Sequence, residues 1–285
     1  MDSRSIELTF PFLDEDEHYK THPSRYAAHL IGHEGPGSLL AYLKKKGWAN
    51  SLSAGPTPVA TGSAFFHINI KLTEEGLGHY EDIVTSVFHY INLIKDQPVH
   101  EWILKELQSV AAVDFKFREK SPASKFTSRF AATMQRPLPR EWLLSGTSLI
   151  REFDPELISK SLEFLRPDNF RVTIISRECP KGTFDQVEYW YKTDYKVEKI
   201  PESFMAKLKA TEGKGKGVGQ PLKGELFLPH VNEFIPTNFT VERKEVDKKQ
   251  LIPSLIKNNG QARIWHKKDD TFWAPKANVY MCLRK

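Results

Sequence analysis

The feature that most constrains the fold is the strict alternation of apolar and polar side chains across residues 62–72. Phe66, Ile68 and Ile70 fall on one side of an extended chain, and His67 and Asn69 fall on the other. Successive side chains of a strand point to opposite faces, so this alternation predicts a strand with one buried face. Similar patterns predict strands at residues 6–10 and 48–55, with a turn at residues 56–58 before the alternating strand begins.

Helical periodicity occupies much of the remaining chain. It predicts helices near residues 23–33, 38–46, 75–95, 98–117, 122–134 and 155–165. Thr21 is the predicted cap of the first helix, and Gly47, after three lysines, is the predicted end of the second. Residues 171–175 are short and β-branched, which predicts a buried strand.

The composition is that of a globular chain with no specialised charge. Among 285 residues, 41 Lys and Arg oppose 36 Asp and Glu, for a net charge of +5. No basic stripe interleaved with aromatic residues is present, so we expect no nucleic-acid partner. The longest stretch without charged residues, 47–70, is broken by prolines and glycines, so we expect no membrane span. Cys179 and Cys282 exclude a disulfide framework and fit a cytoplasmic location.

Several segments carry weaker patterns. The acid run at residues 14–17 predicts a solvated loop. Residues 211–224, with five glycines and three lysines, predict a mobile surface loop, and the charged residues 240–249 predict a connector. Strands are predicted at residues 262–265 and 277–283. Because the second of these has no partner downstream, we expect the chain to be a piece of a longer protein, whose own targeting this sequence leaves open.

The pair His29 and His33 is the first candidate for chemistry. The two residues are four apart, so they share one face of a helix, a spacing that can bind zinc. Neither HExxH nor HxxEH occurs in the chain, and no third ligand can be identified from the sequence. A metal enzyme using this pair therefore stays an alternative to a polar helix end without metal.

Glu34 follows this pair within a glycine-rich break at Gly32, Gly35 and Gly37. Glycines permit close backbone approach or positive φ. The carboxylate of Glu34 could therefore contact the terminus of another chain. One interpretation is a corner that binds an amine, and the other is a helix kink with a surface acid.

Five segments of the sequence, the first of which contains His29, His33 and Glu34, resemble a single family. Residues 29–40, 46–48, 72–77, 165–167 and 232–239 closely resemble the second, non-catalytic domain of the insulin-degrading-enzyme-like (insulysin–pitrilysin) zinc metallopeptidases. The likeness runs from about residue 6 to residue 277.

The resemblance implies an α+β fold in which an antiparallel-rich sheet packs on several helices, like the LuxS/MPP-like metallohydrolases. It implies an inactive peptidase-like domain at residues 1–239, an interdomain connector at 240–275 and the opening strand of a further domain at 276–285. Zinc and catalysis would belong to the first domain of the parent enzyme, and this part would hold no cofactor. Arg25 and Ala28 stand where a degenerate HxxEH motif is expected.

The resemblance also implies a substrate-anchoring exosite. In the family the second domain holds the substrate's N-terminus, and the matching positions here are His29, Gly32, Glu34, Leu52, Ser53 and Ala54. The implied partners are peptides with a free N-terminus and the other domains of the parent chain, which could itself be a homo-oligomer. Pro56 replaces a Gln and has no N–H to offer a peptide. Residues 121–124 lack the basic residues with which relatives bind polyanions.

Three hypotheses follow from the sequence. The first is a catalytically silent domain that anchors the N-terminus of peptides and forms part of a degradation chamber. The second is a purely structural chamber wall with no peptide affinity. The third is an independent metal enzyme that uses His29, His33 and Glu34.

Overall fold

The structure, a computed structural model, describes residues 4–178, 182–212, 222, 224–241, 249–269 and 271–283. Its centre is a four-stranded antiparallel sheet in the order β2-β3-β1-β4. The strands are β1 (Ser5–Phe12), β2 (Ala49–Ala60), β3 (Ser63–Leu72) and β4 (Arg171–Ile175). Two separate hairpins are formed by β5 (Gln186–Val187) with β6 (Asp194–Tyr195), and by β7 (Ser254–Asn258) with β8 (Arg263–His266).

Eight helices accompany these strands in the described residues. They are α1 (Ser24–Ile31), α2 (Leu39–Lys45), α3 (Glu74–Gly78), α4 (Tyr80–Asp96), α5 (Glu101–Lys116), α6 (Ala123–Thr133), α7 (Pro155–Leu162) and α8 (Glu202–Lys209). A short 3-10 helix, Arg140–Trp142, lies between α6 and α7.

One face of the sheet forms the core with the helices. Ile6, Leu8 and Phe10 of β1 and Phe66 of β3 are fully buried in one apolar cluster with much of α4. Phe88 of α4 meets the Phe10 ring edge-on, with the ring centroids 6.0 Å apart. The opposite face carries polar residues, so the predicted alternation of residues 62–72 is confirmed and its register fixes which side is buried.

The hairpin between β2 and β3 corrects the predicted turn at residues 56–58. Pro56 and Pro58 lie inside β2, and the turn is at Thr61 and Gly62, where φ is +80°. The prediction was wrong because proline usually interrupts a ladder. An edge strand tolerates it where the missing N–H would face away from the partner strand.

The start of α1 and the acid run before it correct two other predictions. Thr21 does not cap α1, because its hydroxyl donates to the carbonyl oxygen of His18. Glu15 takes the capping role instead. It lies nine residues before Ser24, and its carboxylate oxygens accept the N–H and the hydroxyl of Ser24. The run at 14–17 is therefore not simply a solvated loop, and α1 ends at Ile31, two residues before the predicted end.

The later part of the chain departs from two strand predictions. Residues 171–175 form β4 as predicted, but β4 is an edge strand whose Ile175 is 48% exposed, so the predicted burial was wrong. The described residues 277–283 form no strand, because no strand of the described chain lies beside them to complete a ladder. The strand predicted at 262–265 is confirmed as β8.

Parts of three other predictions lie outside the described residues. Cys179 is among them, as are 213–221 and 223 of the predicted loop and 242–248 of the predicted connector. Thr211 and Leu222 belong to the predicted loop, but they are only 2% and 4% exposed, so the prediction of a surface location is wrong at these two residues.

Tyr90 of α4 carries a hydroxyl group that is fully buried and has no hydrogen-bond partner among the described residues. Burial raises the pKa of this phenol well above its usual range. We expect Tyr90→Phe to raise the free energy of unfolding by about 1 kcal/mol, because an unsatisfied buried polar group is removed at nearly constant volume. Urea denaturation measures the change.

A matched control is Tyr26→Phe. The Tyr26 hydroxyl oxygen accepts the His100 N–H at 3.1 Å, so its removal should lower the free energy of unfolding. Destabilisation by both substitutions to the same extent would contradict the expectation for Tyr90.

Candidate functional site

The candidate site lies where the end of α1 meets the edge strand β2. A Cβ atom added at Gly32 would lie 2.8 Å from the carbonyl oxygen of Ala28 and 3.9 Å from the backbone nitrogen of Ala54. A side chain at Gly32 would therefore clash with the last turn of α1, and the chain at Gly32 would have to shift. This close approach brings Gly32 and Ala54, two of the predicted exosite residues, together.

The outer edge of β2 is open, because within the described sheet β2 pairs only with β3. Between Ser51 and Pro58 the ladder is regular, so alternate residues present their backbone groups to β3 and to the outside. Pro56 and Pro58 lack an N–H and belong to the outward set. Leu52 and Ala54 share their parity and therefore direct their N–H and C=O groups outward.

Ser53 differs from its two neighbours. It is the register partner of Asn69 on β3, so its backbone groups face the sheet, and its side chain is exposed on the polar face. Of the three strand residues that the resemblance implied, two thus offer main-chain groups to a ligand and one offers only a side chain.

The turn that carries Glu34 is held by contacts on both of its sides. The backbone N–H of Gly35 donates to Nδ1 of His33 at 3.0 Å. Gly37 has a φ of +79°, and the N–H of Phe227 donates to its carbonyl oxygen at 3.0 Å. Ser38 then caps α2 by accepting the N–H of Ala41. The glycine-rich break is therefore a fixed turn between two helices.

Glu34 itself is open to solvent. Its side chain is 68% exposed, and one carboxylate oxygen lies 3.9 Å from Nζ of Lys44 in the last turn of α2. A pair at this distance and exposure contributes little stability, so an incoming ammonium group competes with Lys44 at small cost. Lys44 was not among the predicted site residues, although the three consecutive lysines at the end of the predicted helix were the signal for a cation there.

His29 and His33 lie next to each other at the end of α1. Their ring centroids are 5.9 Å apart, and no group of three or more metal-ligating side chains occurs in the part of the chain that the structure describes. His33 Nδ1 is already an acceptor for Gly35. Arg25, one turn before His29, is a cation whose guanidinium donates to the carbonyl oxygens of Thr147 and Ser148.

Burial lowers the pKa of His29, and the charge of Glu106 on α5 partly opposes that shift. We therefore expect a neutral imidazole at position 29 at pH 7. A neutral imidazole offers one donor and one acceptor and adds no positive charge that would repel an ammonium group.

A second group of charged residues lies at the other end of α1, and sequence reasoning missed it. Burial raises the pKa of Glu15, while burial and the neighbouring Arg25 lower the pKa of His22 to about 4. Nε2 of His22 donates to the carbonyl oxygen of Gly146 at 2.8 Å. The three charged residues are close in the sequence, but Gly146 is 124 positions from His22, so only the fold reveals this contact.

Two family models match this chain. One, described as "Peptidase M16 inactive domain", matches residues 1–110, and the other, described as "Middle or third domain of peptidase_M16", matches residues 115–285. The chain belongs to the M16 peptidase family. The resemblance found in the sequence is confirmed, including its assignment to a non-catalytic part of the family's proteins.

Curated relatives of this chain carry related names. It is 42% identical to the insulin-degrading enzyme of Bos taurus over 97% of this chain and 26% of the relative. It is 37% identical to the A-factor-processing enzyme of Saccharomyces cerevisiae over 99% of this chain and 26% of the relative. The peroxisomal insulin-degrading enzyme-like 1 of Arabidopsis thaliana is 35% identical over 96% of this chain and 27% of the relative. The chain thus spans about a quarter of the length of these relatives.

The crystal structure of pitrilysin superposes with a TM-score of 0.76, covering 96% of this chain and 28% of pitrilysin at 24% identity. This confirms the predicted α+β fold with an antiparallel sheet and several helices. No helix of the described residues has the length and apolar character needed to cross a bilayer. The domain boundaries and the exosite residues stay predictions.

His22 generates a pH-dependent prediction. Its folded pKa of about 4 lies below the ordinary value of 6.5, so the unfolded chain binds more protons between these values. The free energy of unfolding should fall as pH drops through 6.5, by about 2 kcal/mol at pH 5. His22→Asn, which also tolerates the φ of 44° at this position, should remove that part of the loss.

Urea denaturation of both proteins at pH 7.5 and pH 5 measures the effect. The comparison rests on the change between the two pH values, so a lower starting stability of the variant does not matter. Equal losses in the two proteins would show that His22 titrates in the folded state as it does in the unfolded chain.

Proposed function

We propose that this chain is the non-catalytic domain of an insulin-degrading-enzyme-like zinc metalloendopeptidase, and that it anchors the N-terminus of peptide substrates. The parent enzyme would hold zinc in another domain, and this domain would form part of its degradation chamber. The observation that carries the proposal is the approach of Gly32 to the unpaired edge of β2 at Ala54, two residues before the exposed carboxylate of Glu34.

The binding mode that we propose is strand addition. An extended peptide would pair its backbone with the outward N–H and C=O groups of Leu52 and Ala54, so its side chains matter little. Its α-ammonium group, with an ordinary pKa near 8, would meet Glu34. The loss of N–H groups at Pro56 and Pro58 limits strong pairing to the first residues of the peptide.

Anchoring one end of a peptide would assist a distant active site. A tethered substrate reaches the zinc site as an intramolecular partner, so its effective concentration there rises without any new contact at the scissile bond. The affinity needed for this role is weak, on the order of 10 μM to 1 mM, because tight binding would slow the release of products.

A double-mutant cycle tests the anchor. A peptide with a free N-terminus should bind more tightly than its acetylated form, and Glu34→Gln should weaken binding of the free form by about three- to tenfold. Because both changes break one contact, the two losses should not add. Isothermal titration of both peptides against both proteins measures the four affinities.

Glu101→Gln is the matched control, since Glu101 is also an exposed acid paired with a lysine, Lys105, at 3.2 Å. It should leave all affinities unchanged. Equal binding of free and acetylated peptides to the unchanged chain and to Glu34→Gln would favour the purely structural chamber wall.

A hydrolysis assay separates the anchor from the metal-enzyme alternative. With added zinc, the chain should not cleave a fluorogenic peptide. Arg25 cannot ligate zinc, and Ala28 has no carboxylate to activate water at the two positions of the degenerate motif. Turnover that a chelator abolishes and that His29→Ala removes would support the metal-enzyme reading instead.

A further inference from the structure

A cavity of about 150 Å³ opens beside the second half of β2. It lies between the residues that follow β1, the first turn of α1 and the segment around residues 136–147. A cavity of this volume accommodates a group of about six heavy atoms, since an engineered protein cavity of similar size binds benzene.

The walls of this cavity are largely apolar on the strand side. They include Leu13, Pro56, Pro58, Ala64 and Leu138. The side chains of Pro56 and Pro58 share one side of β2 with Ala54, so the cavity lies on the side of the strand that faces α1. A methylene chain that enters from the edge of β2 would therefore lie against proline rings.

Most polar groups in the lining already have partners. Glu15 accepts two hydrogen bonds from Ser24, and Arg25 donates to two backbone carbonyl oxygens. Asp14 accepts the N–H groups of Gly62 and Asp16. These contacts fix the walls of the cavity in place.

Asp16 is the exception among the acids of the lining. Its carboxylate lies 3.7 Å from the guanidinium of Arg136, which is beyond hydrogen-bonding distance. Its side chain is 24% exposed, so it is reachable from solvent but partly enclosed. Among the residues that line the cavity, three acids, Asp14, Glu15 and Asp16, stand against two arginines, Arg25 and Arg136. The lining itself therefore carries one more negative than positive charge.

The distance from the anchoring corner to this cavity suits a short extended peptide. Gly32 lies beside Ala54, whereas Arg25 and Pro58 line the cavity, so α1 runs alongside β2 in the opposite direction. From Ala54 to Pro58 the strand rises by about 13 Å. A peptide held at Glu34 and extended along β2 towards Pro58 reaches the cavity with its fourth to sixth residues.

We infer that this cavity is a specificity pocket that receives a basic side chain, lysine above all, from a peptide anchored at Glu34. The aliphatic part of the lysine lies against Pro56 and Pro58, and its ammonium group pairs with Asp16. This inference rests on the proposed peptide anchoring, because the anchor sets which residue of the peptide reaches the pocket.

A lysine scan tests the pocket. The probe is a polyalanine-based peptide with a free N-terminus and one lysine placed in turn at positions 3 to 7, each compared with the norleucine peptide of the same length. Affinity should rise by about three- to tenfold at one position, or at two positions of the same parity, because alternate side chains of a strand share a face. Titration against this chain measures the affinities.

Asp16→Asn should abolish the preference for lysine over norleucine, whereas Glu17→Gln, which changes the exposed acid beside it outside the cavity, should leave it intact. Circular dichroism and urea denaturation of both variants report whether the fold is kept. If Asp16→Asn is unfolded, glutamate peptides replace it as the test, and they should bind less tightly than norleucine peptides at the same position.

The outcomes for the pocket and for the anchor can be told apart. If acetylation weakens binding but lysine gives no preference at any position, the pocket is overturned and the anchor stands. A lysine preference that acetylation does not affect overturns the link between pocket and anchor. A preference spread evenly over all positions indicates general attraction to acidic surface and also overturns the pocket.

Discussion

The approach of Gly32 to the backbone of Ala54 is the contact on which the rest of the site depends. It places the end of α1 against β2, and a side chain at Gly32 would clash with the carbonyl oxygen of Ala28 in the last turn of the helix. The turn that carries Glu34 starts from this point. At its other end, α1 is fixed by Glu15, whose carboxylate satisfies the first N–H of the helix. The position of α1 along β2 is therefore set at both ends.

The sequence predicted well those elements whose pattern is local. Strand β3 was found within one residue at its start because one face of it is buried and the other is polar along its whole length. Ser38 and Gly47 mark the limits of α2 because capping and positive φ depend on neighbours in the chain. Pro56 was misread because its tolerance depends on β2 being an edge strand, and strand order is a property of the whole sheet.

The candidate site shows the same division between local and long-range information. The resemblance to the family supplied His29, Gly32 and Glu34, and the structure brings Gly32 next to Ala54. The cavity was not foreseen, because its lining joins segments around residues 14, 25, 57 and 140 that only the topology brings together. The acid run at 14–17 is the part of the cavity lining that stands out in the sequence. An acid run alone, however, more often forms a solvated surface than a functional site.

The two halves of the β2 edge differ in whether they can pair with another chain. An exposed strand edge with free N–H and C=O groups invites pairing with other chains, which natural proteins suppress with proline or charge. Pro56 and Pro58 remove two outward N–H groups, whereas Leu52 and Ala54 keep theirs. An edge that must not pair with other chains at any point would need prolines or lysines along its whole length. Under the proposed strand addition, Leu52 and Ala54 are the part of the edge that pairs with a peptide, and the two prolines limit that pairing to a short stretch of the peptide.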